Sequence, residues 1–421
     1  MKLNKAKFIG ALLASITAGT YSPAAGQVTY TLSTAVNSAR ANSPQLKAMY
    51  LNVAASKVDV TTASLRPNPK LNNQTLLLAD RSRFEQGTRI ISGENRQVWW
   101  QLTKTVQWPG QRKLKIAATN SDAGVARAIY EEQIRNVSFE VGKSWIGCWM
   151  LKNKIALLSE TSRSLDSFTT ATNSHRTEQA IPQSELLRTR LLAEQYSVQQ
   201  SVAVQEYNNE LQDLKLLIGA SDTLTIGPDS DWMDKVEIGS LDSLLKQSGQ
   251  QRTDVLLAKE NIASRKLKTS YQRASVWPQP ELGFIYNPQN SVPYAGIFAT
   301  VELPFFDRNQ GERKKAEVLE QQAEQELSST LLQVQTDISK AYQTYQREKK
   351  NIARYKGMTG QSAQILQQVQ HRYLAGQTTI VDLLDAERNW YDTRLLFYQA
   401  EASYYQSYLQ VLFNTCLIGK L

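Results

Sequence analysis

The chain makes the same turn twice. GQRKLKIA at residues 110–117 and GERKKAEV at residues 311–318 each follow an alternating apolar segment ending in an aromatic or leucine plus proline, Trp108-Pro109 or Leu303-Pro304. The match extends in both directions. Ser43-Pro44-Gln45-Leu46 aligns with Arg252-Thr253-Asp254-Val255, and Arg66-Pro67-Asn68-Pro69-Lys70-Leu71 aligns with Trp277-Pro278-Gln279-Pro280-Glu281-Leu282. Downstream, His175-Arg176 and then Glu185-Leu186-Leu187 match His371-Arg372 and then Asp382-Leu383-Leu384, so the chain's 2 histidines stand at equivalent places. An internal duplication on this scale constrains the fold more than any local motif, because each half has to form the same unit. The expected division is residues 1–26, a first repeat at 27–217, a linking segment at 218–240 rich in Gly, Asp and Ser, and a second repeat at 241–421.

Within each half the periodicity changes twice. Residues 31–65 and 240–275 have helical spacing, and a Pro-x-Pro then ends the helix, since proline removes a donor and clashes with the preceding turn. A strand signal follows, clearest in QVWWQLTKTVQW at 97–108. There Val98, Trp100, Leu102, Val106 and Trp108 alternate with polar residues, while Lys104 breaks the apolar face. The second half offers 281–286 and 293–303 about a turn at 287–290. Each repeat therefore supplies one hairpin, at about 68–108 and about 280–304, with helices on both flanks. Pro109 and Pro304 are expected to end the strand ladder, and Gly110 and Gly311 to let the backbone bend into the next helix. Beyond each turn a very long helix is expected. Residues 312–356 contain no Gly or Pro and carry a heptad-like stripe including Leu327, Val334, Ile338, Ala341 and Tyr345. Continued to Tyr373, such a helix covers about 60 residues, or roughly 90 Å. The chain then turns near Ala375-Gly376-Gln377, and in the first repeat near Gln179-Ala180-Ile181-Pro182.

Composition excludes several classes. Lys2, Lys5 and Lys7, an apolar run at 8–18 and Ala24-Ala25-Gly26 have the layout of a secretory signal peptide. Its removal lowers the formal charge from +9 by the three lysines to +6, and no basic run with interleaved aromatics points to nucleic acid. Cys148 and Cys416 lie far apart without CxxC spacing and are expected as two isolated buried thiols. No later run reaches 18 apolar residues, so any membrane passage has to use strands. Two hairpins give four strands, too few to close a barrel, and an open edge in lipid leaves backbone groups unpaired at several kcal/mol each. Other copies must close the edges: a dimer gives eight strands, a trimer twelve and a tetramer sixteen. With helices at the open ends of both hairpins, the helical body lies on one side of the membrane.

The repeat, the ELPFFDRNQGERKKAEV turn at 302–318 and above all YLAGQTTIVDLLDAERNWYDTR at 373–394 resemble the TolC-type outer membrane efflux factors. The resemblance covers the chain from about residue 30 to its end. It implies an α+β fold with three copies, a twelve-stranded transmembrane β-barrel and a long α-helical tunnel in the periplasm. Implied partners are a periplasmic adaptor, an inner membrane efflux pump of the RND type and outer membrane lipid, with no cofactor and no enzymatic activity. Within the family the chain is most similar to the branch serving heavy-metal and other cation efflux pumps. The resemblance also points to Tyr373, Thr378, Asp382 and Asp385 at the periplasmic entrance, where three copies would set six carboxylates around one axis. It points to Gly376, Gln377, Thr379, Gln179, Pro182 and Ser184 as the tips that receive an adaptor hairpin. The family often has an arginine in the entrance turn that latches it shut; Thr378 stands there instead, so that latch does not carry over.

Plain structural alternatives compete at each place. Thr379-x-x-Asp382 reads as a capping box, which favours an acid in the first helical turn without any role in transport. The tips can be exposed turns, His175 and His371 surface histidines with no ligand cluster around them, and Trp99, Trp100 and Trp108 ordinary strand aromatics rather than a membrane belt. For the whole chain, a secreted coiled-coil scaffold explains the helices but not strands of membrane length. An envelope hydrolase lacks any acid, base and nucleophile set.

Overall fold

A computed structural model describes residues 28–175, 183–227, 236–288 and 292–421. After a short strand β1 (Val28–Tyr30) come α1 (Leu32–Asn42), α2 (Pro44–Ser64), β2 (Lys70–Leu77), β3 (Arg96–Thr105), α3 (Pro109–His175) and α4 (Gln183–Ile218). A second short strand, β4 (Leu224–Ile226), pairs in parallel with β1. The order helix, helix, strand, strand, long helix, helix then recurs as α5 (Leu241–Gln251), α6 (Thr253–Ala274), β5 (Glu281–Asn287), β6 (Tyr294–Thr300), α7 (Gln310–Leu374) and α8 (Ile380–Asn414). α3 and α7, of 67 and 65 residues, each run about 100 Å at 1.5 Å per residue.

The expected single helices at 31–65 and 240–275 are each split. Pro44 biases Ser43 away from helical geometry, leaving it at φ −51 and ψ 123, and α2 restarts with the proline at its first position. No proline follows Arg252, yet it is equally extended, at φ −67 and ψ 132. Its buried guanidinium instead spans Asp254 at 2.8 Å and Asp337 of α7 at 3.2 Å, which ties the break to the long helix.

The strand-to-helix turns also differ from expectation. Gly110 and Gly311 do not bend the chain: each sits within the first turn of its helix with a negative φ. Before α7 the left-handed residue is Asn309 at φ 57, whose amide nitrogen donates to the Gln272 carbonyl at 2.9 Å and fastens the turn to α6. Asparagine tolerates this region because its short amide can bond locally. Pro109 opens α3, where its missing N–H costs nothing. Pro304 lies beyond the ladder, since β6 ends at Thr300. Lys104 at the foot of β3 has a reason to interrupt the apolar alternation: its ammonium donates to the Pro67 carbonyl, bracing the bend that leads into β2. Cys148 is buried and free, and burial pushes its thiol pKa up; Cys416 is free but only half-buried, a departure from the expected pair of buried thiols.

β2, β3, β5 and β6 form one antiparallel sheet in that order, so the two hairpins are joined through β3 and β5 and the edges are β2 and β6. Two apolar cores hold the helices. One lies where α1, α3, α4, α7 and α8 meet and includes Trp145, Leu214, Ile338 and Tyr408. The other lies at the far end of the helical body, where Leu158 and Leu165 of α3, Tyr196 of α4 and Leu383 and Tyr391 of α8 pack together. Among the described residues no helix is long and apolar enough to cross a membrane.

Candidate functional site

Two places stand out, at opposite ends of the helices. The first is the turn from α7 to α8. α7 ends in a Schellman motif: Gln377 N–H donates to the Arg372 carbonyl at 2.9 Å, Gly376 N–H to the Tyr373 carbonyl at 3.0 Å, and Gly376 takes φ +68. Only three residues later α8 opens with a capping box, in which Thr379 Oγ1 accepts from Asp382 N–H at 3.2 Å and Thr379 N–H donates to Asp382 Oδ2 at 3.1 Å. The same oxygen receives the Thr378 and Thr379 hydroxyls, both at 2.7 Å. The Thr378 hydroxyl, then the Thr379 hydroxyl and amide, hold the Asp382 carboxyl below its ordinary pKa. Asp382 is thus committed to the turn. Asp385, one helical turn on, is exposed and accepts from the Asn389 amide at 3.2 Å.

Both carboxylates line a groove of about 400 Å³ between α4 and α8, and so do Arg188 and Arg388. The sequence reading missed these guanidiniums. Arg388 was legible, since it stands three residues after Asp385 and so on the same helical face; Arg188 is brought in from α4 by tertiary packing alone. Missed too was Glu387, which is fully buried. Its Oε1 accepts the Ser164 hydroxyl of α3 at 2.9 Å and the Gln370 amide of α7 at 3.3 Å, while Oε2 has no partner. Burial raises the pKa of this carboxyl. A polar letter in Asp-Ala-Glu-Arg gave no hint of that.

Of the other expected tip residues, Tyr373 is half-buried against the far core, and Gly376, Gln377, Thr379 and Ser184 are exposed. His371 is exposed at the end of α7. Gln179 and Pro182 lie outside the described residues.

The second place is the sheet. Residues paired across antiparallel strands point to the same face. Leu71, Leu102, Phe284 and Ile297 therefore make one apolar row across all four strands, and Trp100 and Tyr286 extend it. Members of that row are exposed to 68%, 52%, 48% and 90%. Leaving such a row in water forfeits the stabilisation that burial gives, about 25 cal/mol per Å². The opposite face is mixed: Asn72, Gln74, Gln97, Gln101 and Thr103 share it with Leu76, Trp99, Ile285 and Phe298. The exposed row gives the sheet one face that favours an apolar medium.

Residues 244–413 match the family model described as outer membrane efflux protein. No curated protein sequence gives a significant match. Among solved structures, a membrane protein from Pseudomonas aeruginosa superposes with a TM-score of 0.76 at 16% identity, covering 93% of this chain and 98% of the other. CusC gives 0.75 at 16% identity, with 92% of each chain covered. The CmeC outer membrane channel of Campylobacter jejuni gives 0.73 at 16% identity, covering 99% of this chain and 93% of the other. These likenesses are of fold, and they extend over nearly the whole chain. The match to the outer membrane efflux protein family thus lies within the second repeat, over residues 244–413.

Proposed function

We propose that this chain is one third of an outer membrane exit duct in a tripartite efflux system, a passive conduit and not an enzyme. Three copies pair their open edges, β2 of one against β6 of the next, into a twelve-stranded barrel. The long helices continue that barrel as a tunnel into the periplasm. The observation that carries this reading is the exposed apolar row across a four-stranded sheet whose two edges lack partners among the described residues. Lipid supplies the medium the row needs, and closure supplies the missing backbone bonds.

At the far end, the turn around Gly376, Gln377 and Thr379, with Ser184, Gln179 and Pro182 from the other repeat, is the surface offered to an adaptor hairpin that links the duct to an inner membrane pump of the RND type. Tyr373, Thr378, Asp382 and Asp385 surround the entrance. Metal cations are the proposed cargo, on the sequence resemblance to the heavy-metal branch. The test of the duct is the native mass of protein extracted in mild detergent from a separated outer membrane fraction. A particle near three times 47.4 kDa, less the signal peptides, is expected. A soluble monomer or dimer would instead favour a periplasmic scaffold.

A further inference from the structure

Three basic runs that conduction does not call for converge on one groove. Arg112-Lys113-Leu114-Lys115 lies near the start of α3, Arg265-Lys266-Leu267-Lys268 in the second half of α6, and Arg313-Lys314-Lys315 near the start of α7. α6 packs against both long helices. Between the three lies a groove of about 360 Å³, lined among others by Lys115, Arg265, Lys268 and Lys315, all from one chain. Its two acids are already engaged: Asp122 holds Lys268 at 2.7 Å and the Ser264 hydroxyl at 2.6 Å, and Glu312 faces Lys315 at 3.8 Å. Lys115 and Arg265 have no ion pair among the described residues, so the groove keeps an uncompensated positive charge.

The position of the groove is as telling as its charge. Lys115 is six residues into α3, Lys268 six residues before the end of α6, and Lys315 five residues into α7. All three therefore sit about 7–9 Å along their helices from the sheet end. Between them and the apolar row stand Trp108, Trp277 and Phe306, exposed to 45%, 70% and 95%. Apolar row, aromatic rim and basic groove follow one another as hydrocarbon, interface and headgroup do in a bilayer, whose polar layer is roughly 5–8 Å deep on each side.

We propose that this groove binds the phosphate of an anionic phospholipid headgroup from the leaflet facing the helical body. The proposal rests on the membrane reading of the sheet. A guanidinium and ammonium groups converging on one pocket suit a phosphate, the arginine by its planar fork and the lysines as point charges.

The test uses the full-length oligomer in mild detergent, offered equimolar phosphatidylglycerol and phosphatidylcholine, with bound lipid read by native mass spectrometry. The protein is expected to retain phosphatidylglycerol about fivefold over phosphatidylcholine, the gain of roughly one basic contact. A Lys115→Gln, Arg265→Gln variant is expected to lose that preference, and a charge-conserving Lys115→Arg, Arg265→Lys variant to keep it. Equal retention of the two lipids by the unaltered protein, or a preference that survives neutralisation, overturns the proposal. Loss of the preference in millimolar inorganic phosphate would assign the site to a soluble anion and overturn the lipid source. Insertion into pure phosphatidylcholine vesicles separates the two readings. A protein that does not insert refutes the barrel, whereas one that inserts without headgroup preference refutes the groove alone.

Discussion

Asp382 and Asp385 share one turn of α8 but do different work. Three donors fix a single oxygen of Asp382, whereas Asp385 is exposed beside Arg188 and Arg388. With two guanidiniums in the same groove, any cation preference at the proposed entrance reflects the balance of four groups, of which Asp385 is an exposed acid. An Asp382→Asn, Asp385→Asn variant is expected to shift the reversal potential in planar bilayers toward anion permeation, and an unchanged potential would refute the entrance assignment. Glu387 poses a pH problem of opposite sign to Asp382. Its proton is held more tightly in the fold than in the unfolded chain. The stability this group contributes is therefore fully present below the ordinary carboxylate range and is lost as pH rises through the raised pKa. Glu387→Gln is expected to flatten the pH dependence of hydrogen exchange at the far core. A variant whose exchange still accelerates with pH beyond the intrinsic rate change would show that another group is responsible.

At the scale of elements, the turn between α7 and α8 joins a Schellman ending to a capping box across three residues. Both helix ends are satisfied by the turn itself, so its outward edge needs no partner and is available to one. A cysteine at Gln377 is expected to crosslink to a co-expressed periplasmic adaptor more than a control at Gln322, toward the sheet end of α7, does. Equal yields at the two positions would leave the tip as a connector only. The same scale shows how local rules and tertiary contacts divide the labour. Strand β3, helix α7 and the α8 cap were legible because alternation, the absence of Gly and Pro, and Thr-x-x-Asp each act within a few residues. The break at Arg252 was not, because its cause, Asp337, lies 85 positions away.

For the whole molecule, the direction of the apolar row is the decisive quantity. Ile297, 90% exposed at the middle of β6, is expected to face the hydrocarbon, and Gln101 on the opposite face the lumen. Ile297→Lys should cost about 2–4 kcal/mol in refolding into lipid vesicles, while Gln101→Lys should cost little. Equal costs would mean that neither face is the lipid face. The basic groove, the aromatic rim and the row follow in order along the molecule toward the sheet, the order the proposed passage from water to lipid requires.

The sequence by itself determined the kinds of element, because periodicity, proline placement and capping pairs are properties of neighbours along the chain. It also carried the match to the outer membrane efflux protein model, through residues 244–413 of the second repeat. Only the tertiary structure decided which residues meet. Register set Leu71 beside Leu102, Phe284 and Ile297 in one row. Helix packing buried Glu387 against Ser164 and Gln370, brought Arg188 to the acidic pair, and gathered three distant basic runs around one groove. Burial and charge convergence depend on distances in space between residues far apart in sequence, and no local pattern encodes them.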